Sequence, residues 1–278
     1  MLLDVIFETL LDATKMMPIL YLAYLLMEVL EQHAGEKINQ SIAKVGKAGP
    51  LLGAALGIVP QCGFSGAIAG FYAGGIATLG TLIAVFLSTS DEMLPLMISE
   101  GVQAGVLLKI LLSKFAAGVV FGYLVDLVFR GHTEAHIEDI CEQDHCDCEN
   151  TNIWLAAAIH CLKVMGLILL VTFLLNLAFE LGGADIFKNI LPDIPVVSEI
   201  LAGLVGLIPS CSASVLLTEL YLNGVIHAGA LIAGLSANAG VGLLVLFRQH
   251  RHLTGNFKIT GLLYACSVAA GILLGLLF

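Results

Sequence analysis

Charge is absent from long stretches of this chain. Residues 48–87 contain no Asp, Glu, Lys or Arg, residues 200–247 contain only Glu219, and residues 259–278 contain none. A bilayer crossing takes about 20 mostly apolar residues, so the pattern predicts an all-α polytopic membrane protein. Each half of the chain reads as a first span (3–30 and 153–180), a broken apolar pair, a further span and a last span (103–129 and 257–278). The pair in the first half is 51–59 and 63–72, hinged at Pro60-Gln61-Cys62; in the second it is 201–208 and 212–222, hinged at Pro209-Ser210-Cys211. Each arm is too short to cross the hydrocarbon core, and proline at the joint removes a helix hydrogen bond. The pair therefore predicts a re-entrant or broken helical hairpin, because backbone left open at membrane depth has to be sheltered by protein or line a cavity. The further span is itself interrupted, by Ser88-Thr89-Ser90-Asp91-Glu92 in one half and by Ala237-Asn238-Ala239-Gly240-Val241, preceded by Ser236, in the other.

The two halves are copies. Sliding the sequence by 149 positions places Gly57, Pro60, Cys62, Ser65, Tyr72, Gly75 and Gly80 on Gly206, Pro209, Cys211, Ser214, Tyr221, Gly224 and Gly229, with 11 identities in the 39 ungapped positions from 57 to 95. Shared apolar composition produces Leu and Ile matches, but not Pro, Cys, Tyr and spaced glycines in one register. The offset persists at Lys109/Lys258, Gly122/Gly271 and Phe129/Phe278, and after a one-residue shift at Lys15/Lys163 and Met17/Met165. The expected organisation is two homologous transmembrane repeats, 1–130 and 151–278, joined by a loop at 131–150. Secondary transporters are often built this way, with the binding site at the repeat interface near the bilayer midplane. If each hairpin returns to the side it entered, each half makes an odd number of passes and the repeats are inverted. Lys37, Lys44, Lys47, Arg130, Arg248, Arg251 and Lys258 then share one side against Lys109 and Lys188, and the positive-inside rule makes that side, with the loop, cytoplasmic. Single bent crossings would instead make the repeats parallel and turn the loop outward.

Composition narrows the function classes. The chain is 58% apolar and 12% charged, where soluble domains run at about 45–50% and about 25%. A soluble enzyme, a disordered chain and a nucleic-acid binder are excluded. The expected setting is the lipid bilayer of the cytoplasmic (inner) membrane, with a homodimer as a candidate assembly and no nucleic-acid partner. The net charge of −10 is local: residues 131–150 hold seven acidic residues and no Lys or Arg. The N-terminus lacks the basic n-region of a signal peptide.

The segments Ile58-Val59-Pro60-Gln61-Cys62-Gly63-Phe64-Ser65, Ser88-Thr89-Ser90-Asp91-Glu92 and Ile208-Pro209-Ser210-Cys211 resemble the ten-helix heavy-metal exporter family, whose members are labelled arsenic efflux proteins or manganese transporters. The similarity covers essentially the whole chain, including the acidic middle loop. It implies five membrane segments per half and export of a cation or metalloid.

Cys62 and Cys211 are the first candidate ligands, because repeat symmetry would bring the two hinges together. Thiolate selects thiophilic metals, whereas Mn²⁺ prefers carboxylate and carbonyl oxygen; alternatively both cysteines are small packed residues. Asp91 and Glu92 follow, since ionisable groups within spans usually face a cavity or a partner. Asp91 would offer ligand oxygen and take a proton; the alternative is a membrane-surface helix end. Glu219 is a candidate proton-coupling carboxylate, or the partner of Lys15, Lys114 or Lys163. Gln61, Ser65, Ser88, Ser90, Ser210, Ser214, Ser236 and Asn238 are candidate neutral ligands, although small polar residues also join membrane helices. Half-helix N-termini would hold an anion equally well. Glu8, Asp12 and Lys15 share one face of the first span, with His160 and Lys163 at the matching places, and read as an internal ion-pair network or a proton relay.

The loop contributes His132, His136, Cys141, His145, Cys146 and Cys148. This mixture suits a borderline-to-soft transition-metal ion, although the spacing lacks the paired Cys-x-x-Cys of a structural zinc site. A metal-collecting loop and a solvated acidic linker are the two readings. No other cofactor is expected. No Walker A run is present, and the spans hold no His/Glu set such as H-E-x-x-H, which argues against an intramembrane hydrolase. The sequence thus points to a secondary active exporter of a metal or metalloid ion by alternating access, not an enzyme, with Asp91, Glu92 or Glu219 exchanging protons. A Mn²⁺ transporter with structural cysteines and an anion transporter are the alternatives.

Overall fold

The computed structural model describes residues 48–59, 63–90, 93–129, 196–250 and 253–278, with scattered helical positions between 17 and 25 and between 154 and 173. The described residues form ten helices and no strand. They are α1 Ala48–Gly57, α2 Gly63–Ala73, α3 Leu79–Ser88, α4 Met93–Ser99 and α5 Ala104–Val128, then α6 Val197–Gly206, α7 Cys211–Leu222, α8 Ala228–Ala237, α9 Val241–Gln249 and α10 Leu253–Gly275. Displaced by 149 positions, the second five begin and end within two residues of the first five. The first spans (3–30 and 153–180) lie largely outside the described residues, as does all of 131–150.

The hairpin arms α1 and α6 start at residues 48 and 197 rather than 51 and 201. The earlier starts suit Pro50 and Glu199, each in a first turn: proline lacks an N–H that would be unpaired there, and a carboxylate faces the positive helix end. The last helix likewise starts at 253 rather than 257.

Four stretches are long and apolar enough to cross a membrane: Leu79–Ser99, Ala104–Val128, Ala228–Gln249 and Leu253–Gly275. The first and third are the broken spans α3–α4 and α8–α9. In the most apolar part of Ala228–Gln249, 89% is buried, against 22% in Ala104–Val128, so the broken spans are central and α5 and α10 peripheral. The latter turn Leu108, Leu112, Leu124, Leu127, Phe257 and Leu273 outward. This is the multi-pass membrane architecture expected of the chain, since lipid makes such exposure favourable.

Glycine sets the helix contacts. A Cβ on Gly122 of α5 would stand 2.8 Å from Gly80 O of α3, and one on Gly271 of α10 would stand 2.6 Å from Gly229 O of α8. The same crossing is thus built twice, by small residues that let backbones touch. Gly75 and Gly224 occupy matching turns after α2 and α7 with φ of 70° and 69°, a region open to glycine without steric cost.

The packing fixes relative directions. Gly206 meets Gly234 and Ala237 near the end of α8, whereas Glu199 meets Gly229 near its start, so α6 runs alongside α8 in the same sense. Asn238, just past α8, bonds Ser210, just before α7, so α7 runs the opposite way. Across the halves, Gly242 lies against Ser65 O and Phe86, and the Tyr72 and His250 rings are 5.6 Å apart; α2 and α9 therefore run together. One core joins α2 and α3 to α9 and α10, and a second joins α4 and α5 to α6, α7 and α8.

Valine at Gly122 or Gly271 should destabilise the protein by about 1–3 kcal/mol through overpacking. Alanine at Gly261, whose Cβ would meet nothing within 4 Å, should be neutral or stabilising by up to about 1 kcal/mol through helix propensity. Thermal unfolding in detergent checks both.

Candidate functional site

Each broken span is interrupted about halfway along its length. α3 and α8 have ten residues each, which at 1.5 Å per residue is about 15 Å of a core about 30 Å thick. Both start on a side-chain cap: Thr78 accepts from Thr81 N, and His227 Nδ1 accepts from Ala230 N. Each start also has a carboxylate. Asp126 accepts from Thr78 Oγ1 at 2.8 Å and from Gly80 N at 2.7 Å. Glu199, buried, lies 3.7 Å from His227 Nε2, too long for a hydrogen bond. Since Nδ1 accepts, a neutral His227 ring carries its proton on Nε2, toward Glu199.

At the other end of α3 and α8 the helix ladder stops. Asn238 Oδ1 accepts from Gly240 N at 2.9 Å, forming an Asx turn, and Gly240 adopts φ 52°. Asn238 Nδ2 donates to Ser210 O at 3.3 Å, tying the break in α8–α9 to the hinge between α6 and α7. Ser210 caps α7 by accepting from Ser212 N.

Between the two breaks stands Lys114 of α5, fully buried. Its Nζ donates to Thr89 O at 2.5 Å, at the end of α3, and to Leu235 O at 3.0 Å, near the end of α8. One cation therefore joins the interrupted ends of both halves. The sequence reading considered Lys114 only as a partner for Glu219. Its signal was present: Lys114 is the charge nearest the middle of the apolar 103–129 span, between Lys109 and Asp126, and its repeat mate is Leu263.

The other expected residues fall in different settings. Ser88 Oγ donates back to Ala84 O and is wedged against Gly57, where a Cβ would meet it. Ser90 donates to Ser88 O, and Ser214 to Cys211 O. Ser65 is buried; Ser236 is buried with no hydrogen-bond partner for Oγ. Cys211 is half-buried at the first turn of α7. Glu219 is exposed, and Lys114 reaches carbonyl oxygens instead of this carboxylate. Gln61, Cys62, Asp91, Glu92, Glu8, Asp12, Lys15, His160 and Lys163, and the loop residues His132, His136, Cys141, His145, Cys146 and Cys148, lie outside the described residues. Among the described residues no three His, Cys, Asp or Glu side chains come together.

Asn238→Ala should cost about 1–2 kcal/mol, chiefly by leaving Gly240 N without its acceptor; Ser210 O loses the Asn238 donor but keeps Ala213 N. Asn238→Asp keeps an acceptor for Gly240 N but loses the donor to Ser210 O. Thermal unfolding of the two variants separates the turn from the hinge tether, with the alanine variant melting lower.

No curated protein and no solved structure matches the chain. A family model does, over residues 2–184, which takes in the first repeat, the loop and the start of the second repeat. The chain belongs to the family described as putative 10TM heavy-metal exporters.

Proposed function

We propose that the chain is a secondary active transporter that exports a metal or metalloid ion across the cytoplasmic membrane by alternating access, driven by protons. The observation that carries this reading is the meeting of the two mid-span breaks at Lys114. Interrupted helices are tolerated at depth where they are sheltered or line a cavity, and paired half-helix ends are how such proteins hold ions.

The inverted arrangement of the repeats is supported by the helix directions. Ser65, early in α2, and Phe86, late in α3, both meet Gly242, so α2 turns back along α3. Because α9 runs with α2, the second broken span runs against the first. The hairpins would then be re-entrant, with Ser210 at the depth of Asn238. In this arrangement Arg248, near the end of α9, falls on the side that the end of α5 reaches, while Lys109 lies opposite, donating to Leu277 O at 2.8 Å. That charge distribution favours a cytoplasmic loop at 131–150, where its thiols would stay reduced and collect metal before export.

Within this reading Cys62 and Cys211 supply soft ligands at the two hinges, Asp91 supplies oxygen and a proton site, and Gln61, Ser65, Ser90, Ser210, Ser214, Ser236 and Asn238 supply neutral oxygen. Glu92 assists Asp91 in coupling. Glu219 would join only in a conformation that buries it. A hard divalent cation such as Mn²⁺ is the second reading, favoured by the oxygen donors that surround the described breaks.

The test is flux in proteoliposomes under an imposed pH gradient, with Mn²⁺, Zn²⁺, Cd²⁺, arsenite and phosphate offered in turn. Proton-coupled movement of one cation or metalloid is expected, and Asp91→Asn should abolish it. Cys62→Ser with Cys211→Ser should lower Cd²⁺ or arsenite flux by at least about tenfold while sparing Mn²⁺. Movement of phosphate alone would overturn the export reading.

A further inference from the structure

The oxygens that Lys114 holds are ones that the helix breaks set free. In an unbroken helix Leu235 O would accept from the N–H of residue 239, but Ala239 N bonds Ala237 O instead, at 3.0 Å. Thr89 O would likewise serve the N–H of residue 93, where α4 begins its own helix. Carbonyls at a helix C-terminus carry the negative end of the macrodipole. Two of them from different halves, at mid-membrane, make a cation site, and the ammonium fills it.

A buried lysine inside a span is costly, and the repeat shows that the fold does not need one here: the same position in the second half is a buried leucine, Leu263. Ser236, next to Leu235, adds a buried hydroxyl with no hydrogen-bond partner. That is a further oxygen in the same turn of helix, still available to an ion or water.

We propose that Lys114 is a tethered cation occupying a cation site made by the carbonyl oxygens of Thr89 and Leu235. The inference rests on the export reading for its role: the exported cation gains these oxygens by displacing the ammonium, and the tether keeps abundant monovalent cations out of an empty site. Lys114→Ala vacates the site together with the channel of the lysine stem, whereas Lys114→Met removes the charge but fills the channel.

Thermal unfolding of purified full-length protein in detergent is measured with choline replaced stepwise by Na⁺, K⁺ or methylammonium. Lys114→Ala should gain about 4 °C at ten times the Kd of the ion that fits, while wild type and Lys114→Met gain nothing. Equal responses in all three proteins, or none in Lys114→Ala, would overturn the proposal. Should Lys114→Ala fail to fold in choline, folding restored by methylammonium but not by choline supports it, and failure in every cation overturns it. Because this readout needs no transport, a wild type that moves no metal would defeat the export reading and leave the site tested on its own.

Discussion

A helix that stops in the middle of a bilayer leaves carbonyl oxygens that neither lipid nor water can serve, and the chain has to answer for each of them. Lys114 answers for Thr89 and Leu235. Asn238 answers for Gly240 N through its own Oδ1, and adds a donor to Ser210 O beside Ala213 N. Serine and threonine hydroxyls along α3 fold back on the carbonyls of the preceding turn. An unsatisfied polar group in hydrocarbon costs several kcal/mol. These bonds therefore decide where the spans can break, and the breaks decide where an ion can be held.

Peripheral packing serves the same end. The glycine crossings of α3 with α5 and of α8 with α10 bring a long unbroken helix against each short one. α5 can therefore deliver Lys114 to the centre only because Gly118 and Gly122 bring its backbone against α3. Outside, the same helix is leucine-rich and faces lipid. Inside, it supplies the one described cation at the meeting of the two halves.

Much of this was legible in the sequence because duplication leaves a register, and register survives drift. Pro209, Gly224 and Gly229 found their mates by spacing alone, and the helix boundaries follow the same offset. The chemistry was less legible wherever the copies diverge. Lys114 opposes a leucine, so a search for matched polar residues passes over it. Glu199 and Asp126 serve equivalent helix starts from non-equivalent helices, α6 and α5, so no alignment pairs them. Ser88 read as a ligand because it sits in a polar run, but side-chain direction, which spacing does not encode, turns it toward Gly57. Glu219 read as a proton-coupling carboxylate or a lysine's partner because it interrupts an apolar run; in a membrane protein an apolar run also forms a lipid-facing surface, and there the period of the helix decides exposure.

The divergences carry a physical consequence of their own. Two identical inverted halves would give inward-facing and outward-facing states of equal energy, since exchanging the halves converts one state into the other. Any contact made by one half alone biases that balance by its own differential free energy. Lys114 against Leu263 is such a contact at the centre, and the Thr78–Asp126 cap against the His227–Glu199 pair is another at the helix starts. The first holds the broken ends together by hydrogen bonds to a charge, which are stronger than neutral ones. The second replaces a threonine with a ring whose Nε2 lies 3.7 Å from a buried carboxylate. On the alternating-access reading, the resting conformation is set by these few unmatched polar residues rather than by the matched glycine packing, which is nearly the same on both sides and cancels.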